Sequence, residues 1–213
     1  MNNIKIAKII NNILTDSKYP IFCTFYTIDN GYEEYFLKLE KSLNKFNLPY
    51  YAIGILKENN SWIDIVQKKP DFLLMVMKLY PNRNIVWVDS DSIIEQNPNV
   101  FLNPLNDLGV YFLNNIQLCS GTLFFKNSEI SKKILNEWIE ETNKINEMNK
   151  IEKINECLLW DQKILELLIR KKYMENIFLL PDEYICIFDH PKFKNLDWVI
   201  SHWQASRKLK KIK

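Results

Sequence analysis

The chain is poor in the residues that build disulfide frameworks and zinc sites. Its four cysteines, Cys23, Cys119, Cys157 and Cys186, are scattered with no CxxC spacing. They are expected as small, buried, reduced side chains. His190 and His202 are the whole histidine complement, too few to complete a zinc site beside those cysteines. The start, MNNIKIAKIINNIL, lacks the uninterrupted apolar core of a signal peptide. No run approaches the length of a membrane span. The expected location is therefore the cytoplasm, where thiols stay reduced. Neither charge sign prevails: 28 Lys and Arg against 26 Asp and Glu leave a net +2. That balance argues against a nucleic-acid partner, although residues 207–213 (RKLKKIK) form a basic tail. Internal repeats and interdomain linkers are also missing.

What is present is a globular composition, with 47% apolar, 13% aromatic and 25% charged residues in 213. That length suits one domain with one core, residues 1–213. Ile4, Ala7, Ile10 and Leu14 fall on one helical face, so residues 1–18 are expected as an N-terminal helix, packed on the domain or lying at a membrane surface. Residues 21–27 (IFCTFYT) read as a strand. A helical stripe follows (Tyr32, Tyr35, Phe36, Leu39, Leu43, Phe46), then a second strand at residues 50–56 (YYAIGIL). This is a β-α-β unit and implies parallel strands. Lys69-Pro70 opens a further helix, residues 85–89 (IVWVD) a strand, and GVYFL and GTLFF two more. Ser128 is expected to cap a helix carrying Ile130, Ile134 and Trp138. WDQKILELLI follows as a helix, and YICIF and WVISHW as late strands. The alternation predicts a single α/β domain, Rossmann-like, with a central, mostly parallel sheet flanked by helices.

The most informative stretch is residues 85–94, IVWVDSDSII. In extended chain, residues i and i+2 project to one face. Asp89 and Asp91 would then converge at the carboxyl end of a strand, where open α/β sheets bind ligands. Two carboxylates so close repel unless a cation lies between them. A divalent ion with oxygen ligands, Mn²⁺ or Mg²⁺ holding a diphosphate, satisfies that demand. Two solvated aspartates in a turn are the plainer alternative.

VWVDSDS resembles the DxD motif of nucleotide-sugar glycosyltransferases with the GT-A fold. The likeness is to the glycogenin-like and bacterial lipooligosaccharide galactosyltransferase group. Small enzymes of this kind also occur in large DNA viruses that glycosylate their capsids, which would place the chain in host cytoplasm. The likeness runs from Ile21 to about Lys208. It implies a hexosyltransferase that moves a hexose from a nucleotide diphosphate-sugar, by default a UDP-sugar, to an acceptor hydroxyl.

The resemblance also implies site residues. Asp89, Asp91 and His202 would be the metal ligands, His202 coming from ISHWQASRK. Thr24, Tyr26 and Thr27 on the first strand, Lys69, Ser90, and Ser120 and Gly121 of CSGTLFF would meet the donor. In that last segment Cys119 stands where the family has Asn. Arg207 and Lys208 would contact the diphosphate, with the tail, residues 204–213, folding over it. Asp161 and Gln162 of LLWDQKIL would face the donor sugar, and their likeness to the retaining group implies retention; Asp161 acting as a base would imply inversion. His190, before Pro191, reads as a surface turn. Two rival readings are a phosphatase of the haloacid-dehalogenase type and a non-enzymatic glycan or nucleotide binder using Trp198, Trp203 and the basic tail.

Overall fold

The computed structural model describes residues 5–209, with the backbone alone at Lys208 and Leu209. Its centre is a seven-stranded sheet ordered β1-β3-β2-β4-β7-β6-β8. The strands are β1 (Ile6–Asn12), β2 (Ile21–Thr27), β3 (Tyr50–Ile55), β4 (Ile85–Val88), β6 (Leu108–Leu113), β7 (Gln117–Phe125) and β8 (Ile177–Leu179). β5 (Ser92–Ile94), β9 (Cys186–Ile187) and β10 (Ile200–His202) form a second sheet ordered β5-β10-β9.

β2, β3 and β4 are buried along their whole length. Covered on both faces, they read as unbroken apolar runs rather than as alternation. They pair in parallel. The crossover between β2 and β3 is α1 (Tyr32–Lys45), which buries Phe36, Leu39 and Leu43 at helical spacing. Antiparallel pairings of β1 with β3, β4 with β7 and β7 with β6 flank that parallel centre, and β8 joins β6 in parallel.

Helices α3 (Lys69–Leu79), α4 (Glu129–Ile151) and α5 (Asp161–Lys172) cover one face of the sheet; α1 and the second sheet cover the other. Pro70 sits in the first turn of α3, where its missing N–H costs no hydrogen bond. Ser128 caps α4 by accepting from the Ser131 N–H, and the helix runs on through the polar stretch to Ile151. Two short helices, α2 (Trp62–Val66) and α6 (Ala205–Leu209), complete the chain. No described helix is long and apolar enough to cross a membrane.

One expectation is overturned outright. The N-terminal helix is absent from the described part of residues 1–18; Ile6–Asn12 is an edge strand on β3, with Ile10 opposite Ala52. The isoleucines there are β-branched and suit a pleated edge better than a helix. The outer backbone groups of β3 also need partners, a demand that no local periodicity reveals.

Candidate active site

The acidic pair lies where the two sheets meet. β4 stops at Val88, and the Asp89 N–H donates to the Gly121 carbonyl at 2.8 Å, one last rung against β7. The chain then turns, because the Ser92 N–H donates to the Asp89 carbonyl at 2.9 Å, and enters β5. Extended geometry does not persist through Ser90, contrary to the sequence argument. The carboxylates converge through the turn, with Ser90 buried inside it. β10 runs antiparallel to β5 and sets His202 opposite Ser92. One potential ligand atom from each of Asp89, Asp91 and His202 lies within 4.8 Å of the others.

Each of the three is held from behind. The Trp87 indole Nε1–H donates to Asp89 Oδ1 at 2.8 Å. The Ala205 backbone N–H, opening α6, donates to Asp91 Oδ2 at 2.6 Å, and the Trp203 N–H to the Asp91 carbonyl at 3.0 Å. Ser92 Oγ lies 3.0 Å from His202 Nδ1 and Thr122 Oγ1 2.9 Å from Nε2. Burial lowers the His202 imidazole to about 4 and holds it neutral. Burial, and then the charge of Asp89, raises the Asp91 carboxyl to about 6 against the pull of the Ala205 N–H. Gly121 completes the cradle. A Cβ at that position would lie 2.8 Å from His202 Cε1 and 2.9 Å from Nδ1. Two carboxylates and a neutral imidazole suit a divalent ion of the Mn²⁺ or Mg²⁺ kind. With one imidazole nitrogen on the ion, the other would donate to a hydroxyl and fix the ring.

A second polar group adjoins the first. Lys69, at the start of α3, is buried, with its ammonium 2.7 Å from Asp161 Oδ2 and 3.5 Å from Asp89 Oδ1. It also donates to the Ser120 carbonyl at 3.2 Å and to Ser120 Oγ at 3.1 Å, and it lies over the Trp87 ring. Burial alone would lower its pKa; Asp161 and then Asp89 outweigh that, so it stays an ammonium. Ser120 Oγ donates to Asp161 Oδ2 at 3.1 Å, and the Ser120 N–H donates to Gln162 Oε1 at 3.2 Å. Asp161, Gln162, Lys69, Ser120, Gly121 and the acidic pair thus form one connected network.

Other residues named from the sequence make no described bond to this network. Thr24 and Tyr26 are buried within β2; Tyr26 stacks on Phe36, and its hydroxyl has no hydrogen-bond partner among the described residues. Thr27 ends β2 and bonds Asn30. Arg207 pairs with Asp189 at 2.7 Å. The Lys208 side chain and residues 210–213 lie outside the described residues. His190 caps a short 3-10 turn by accepting from the Lys192 N–H at 3.2 Å.

Sequence reasoning missed Ser92 and Thr122, which face the two imidazole nitrogens, and Tyr32, whose phenol is pushed up by burial and then by the charges of Asp91 and Asp89. A strand hydroxyl carries no signal of its own, and Tyr32 is hidden in the apolar stripe of α1. A cavity of about 260 Å³ opens beside Asp91, lined also by Tyr35, Lys38, Ser92, Ile93 and Trp203. A larger, shallower hollow of about 620 Å³, lined by Glu95, Gln96, Asp197 and Trp198, includes none of the site residues.

No protein-family model and no curated protein matches the chain. Solved structures do. A glycosyltransferase involved in the glycosylation of the major capsid of PBCV-1 superposes with a TM-score of 0.63 at 11% identity, over 91% of this chain and 98% of that one. The glycosyltransferase GlyE of Streptococcus pneumoniae TIGR4 superposes with a TM-score of 0.55 at 16% identity, over 86% of this chain and 55% of GlyE. The chain therefore spans about half of GlyE and nearly all of the first enzyme. The chain has the fold of these glycosyltransferases.

Proposed function

We propose that this chain is a metal-dependent glycosyltransferase that moves a hexose from a nucleotide diphosphate-sugar, by default a UDP-sugar, to an acceptor hydroxyl. The observation that carries the reading is the convergence of Asp89, Asp91 and His202 at the end of a central strand, in a fold that glycosyltransferases use. Those three residues would hold Mn²⁺ or Mg²⁺, and the ion would supply positive charge to the leaving diphosphate.

The chain's own residues do the rest. Ser92 and Thr122 face the two ring nitrogens of His202; the ion would take the place of one hydroxyl, and the other would keep the ring oriented. Trp87 and Lys69 fix Asp89, and the Ala205 N–H fixes Asp91. Lys69, balanced by Asp161 and Asp89, ties the acidic pair to the Asp161–Gln162 segment, against which the donor sugar would lie. Arg207 would have to leave Asp189 to reach a phosphate, so its contribution belongs to a closed tail.

In the reaction the bond from the anomeric carbon to the diphosphate oxygen breaks and a bond to the acceptor oxygen forms, through an oxocarbenium-like state. Asp161 is buried, with its Oδ2 engaged by Lys69 at 2.7 Å and by Ser120 Oγ at 3.1 Å, so that oxygen is not free to meet an acceptor hydroxyl. That pairing supports retention, with the acceptor proton leaving on the departing phosphate oxygen.

The test is a screen of nucleotide sugars with Mn²⁺ for slow donor hydrolysis, run beside Mn²⁺ binding by calorimetry. One donor should be consumed, and Asp91→Asn should abolish both hydrolysis and ion binding. Consumption of no donor, or an Asp91→Asn protein as active as the parent, would refute the reading.

A further inference from the structure

A second polar cluster gathers at β6, the neighbour of the strand β7 that carries Gly121. The Tyr111 hydroxyl of β6 donates to Asp182 Oδ1 at 2.8 Å, and the Lys192 ammonium lies 2.6 Å from that hydroxyl and 2.8 Å from the same carboxylate oxygen. Three separate segments send their polar ends to this point: a strand and the short 3-10 turns at 182–184 and 191–193. Register locates it. Tyr111 pairs with Cys119 across β6 and β7, and Cys119 precedes Gly121, which touches His202, by two residues. Residues i and i+2 of a strand lie roughly 7 Å apart on one face, so the two clusters rise from neighbouring positions on the same face of the sheet.

The cluster is chemically suited to a neutral polyol. Asp182 offsets the charge of Lys192, so nothing here favours a diphosphate. Lys192 and Asp182 remain about a third exposed, and an ion pair so placed adds little to stability. Among the described residues, Asp182 Oδ1 takes both bonds and Lys192 uses two of its three hydrogens. Asp182 Oδ2 and the third ammonium hydrogen take no bond among the described residues, and a vicinal diol, donating from one hydroxyl and accepting at the next, would complete both. Lys192 also lies over the rings of Tyr111 and Phe193.

We infer that Tyr111, Asp182 and Lys192 form the acceptor subsite, and that the acceptor is a neutral sugar presenting a vicinal diol. This rests on the glycosyltransferase reading. Asp182 positions the acceptor and is not the base: although burial opposes it, Lys192 and Tyr111 hold its carboxyl below the ordinary carboxylate range.

The experiment uses the full chain, Mn²⁺ and the nucleotide sugar found by the donor screen. Methyl glucoside, methyl galactoside, methyl mannoside, lactose and maltose are added in turn. At least one should accelerate donor consumption and yield a new glycoside by mass spectrometry. For that sugar, Lys192→Met and Asp182→Asn should raise KM by about tenfold, the factor expected for losing one hydrogen bond to a charged group, with donor KM nearly constant. Tyr111→Phe, which keeps the ring, should shift acceptor KM in the same direction. Donor hydrolysis with no response to any sugar, unchanged acceptor KM in the variants, or equal rises in donor and acceptor KM would each overturn the subsite. Absence of donor hydrolysis would instead overturn the glycosyltransferase reading beneath it.

Discussion

At the scale of single residues the site depends on close fits that a small change spoils. Gly121 is a glycine because the space beside its Cα belongs to the imidazole. Gly121→Ala would bring a methyl within 2.8 Å of His202, and a ring that must hold a hydroxyl at one nitrogen and the ion at the other has little room to retreat. The variant should fold and lose Mn²⁺ affinity by about ten- to a hundredfold, as when the support of a metal-bound histidine is disturbed; calorimetry reads it. Lys69→Met should act on stability instead. It leaves Asp161 buried without its cation, which costs about 3–5 kcal/mol. Replacing both, Lys69→Met with Asp161→Leu, should return most of that loss in urea denaturation. A double variant no more stable than the single one would show that the pair contributes more than mutual neutralisation.

That Asp89, Asp91, Lys69, Ser120, Gly121, Asp161, Gln162 and His202 lie together was legible, because they occur in recognisable segments; their roles belong to the proposal. For Thr24 and Tyr26 the structure shows only burial within β2, so their proposed contact with a donor has no described bond behind it. A tyrosine there serves the core even with its hydroxyl unsatisfied.

At the scale of elements, the β-α-β unit and the caps came from periodicity and local chemistry. The first strand did not, since its partner is the backbone of β3 rather than a stripe of side chains. Helix α4 shows the limit of counting spacings. Ile130, Ile134 and Trp138 are spaced four residues apart, yet Ile130 is 39% exposed and Trp138 is 0% exposed. Trp138→Ala should therefore cost about 3–5 kcal/mol, and Ile130→Ala about 0.5 kcal/mol or less, by chemical denaturation. Comparable losses at both positions would contradict the orientation of the helix.

At the scale of the whole molecule the site is a junction of two sheets. The second sheet joins Ser92–Ile94 to strands about a hundred residues later, a long-range pairing that no window of sequence reveals. Its burial couples ionisation to stability. His202 is lowered from 6.5 to about 4, so the unfolded chain binds the extra proton between those values and stability falls as pH falls through them. Asp91 is raised from 3.8 to about 6, so the folded chain holds the extra proton and stability there falls as pH rises. In the metal-free protein the two slopes oppose each other between about pH 4 and 6. Asp91→Asn removes one of them, and the Tm of that variant should climb from pH 4 to 6.5 more steeply than that of the parent. A Tm flat across this range would contradict a buried neutral imidazole.

The central claim is that the carboxylates of Asp89 and Asp91 and the His202 ring grip one divalent ion. Pulsed electron paramagnetic resonance of Mn²⁺ titrated into the full chain tests it most directly. The account predicts one saturable ion per chain whose spectrum carries nitrogen coupling from an imidazole. That coupling should vanish in His202→Ala, and the ion itself should be lost in Asp91→Asn. Saturable Mn²⁺ binding without nitrogen coupling, or binding indifferent to Asp91→Asn, would contradict it.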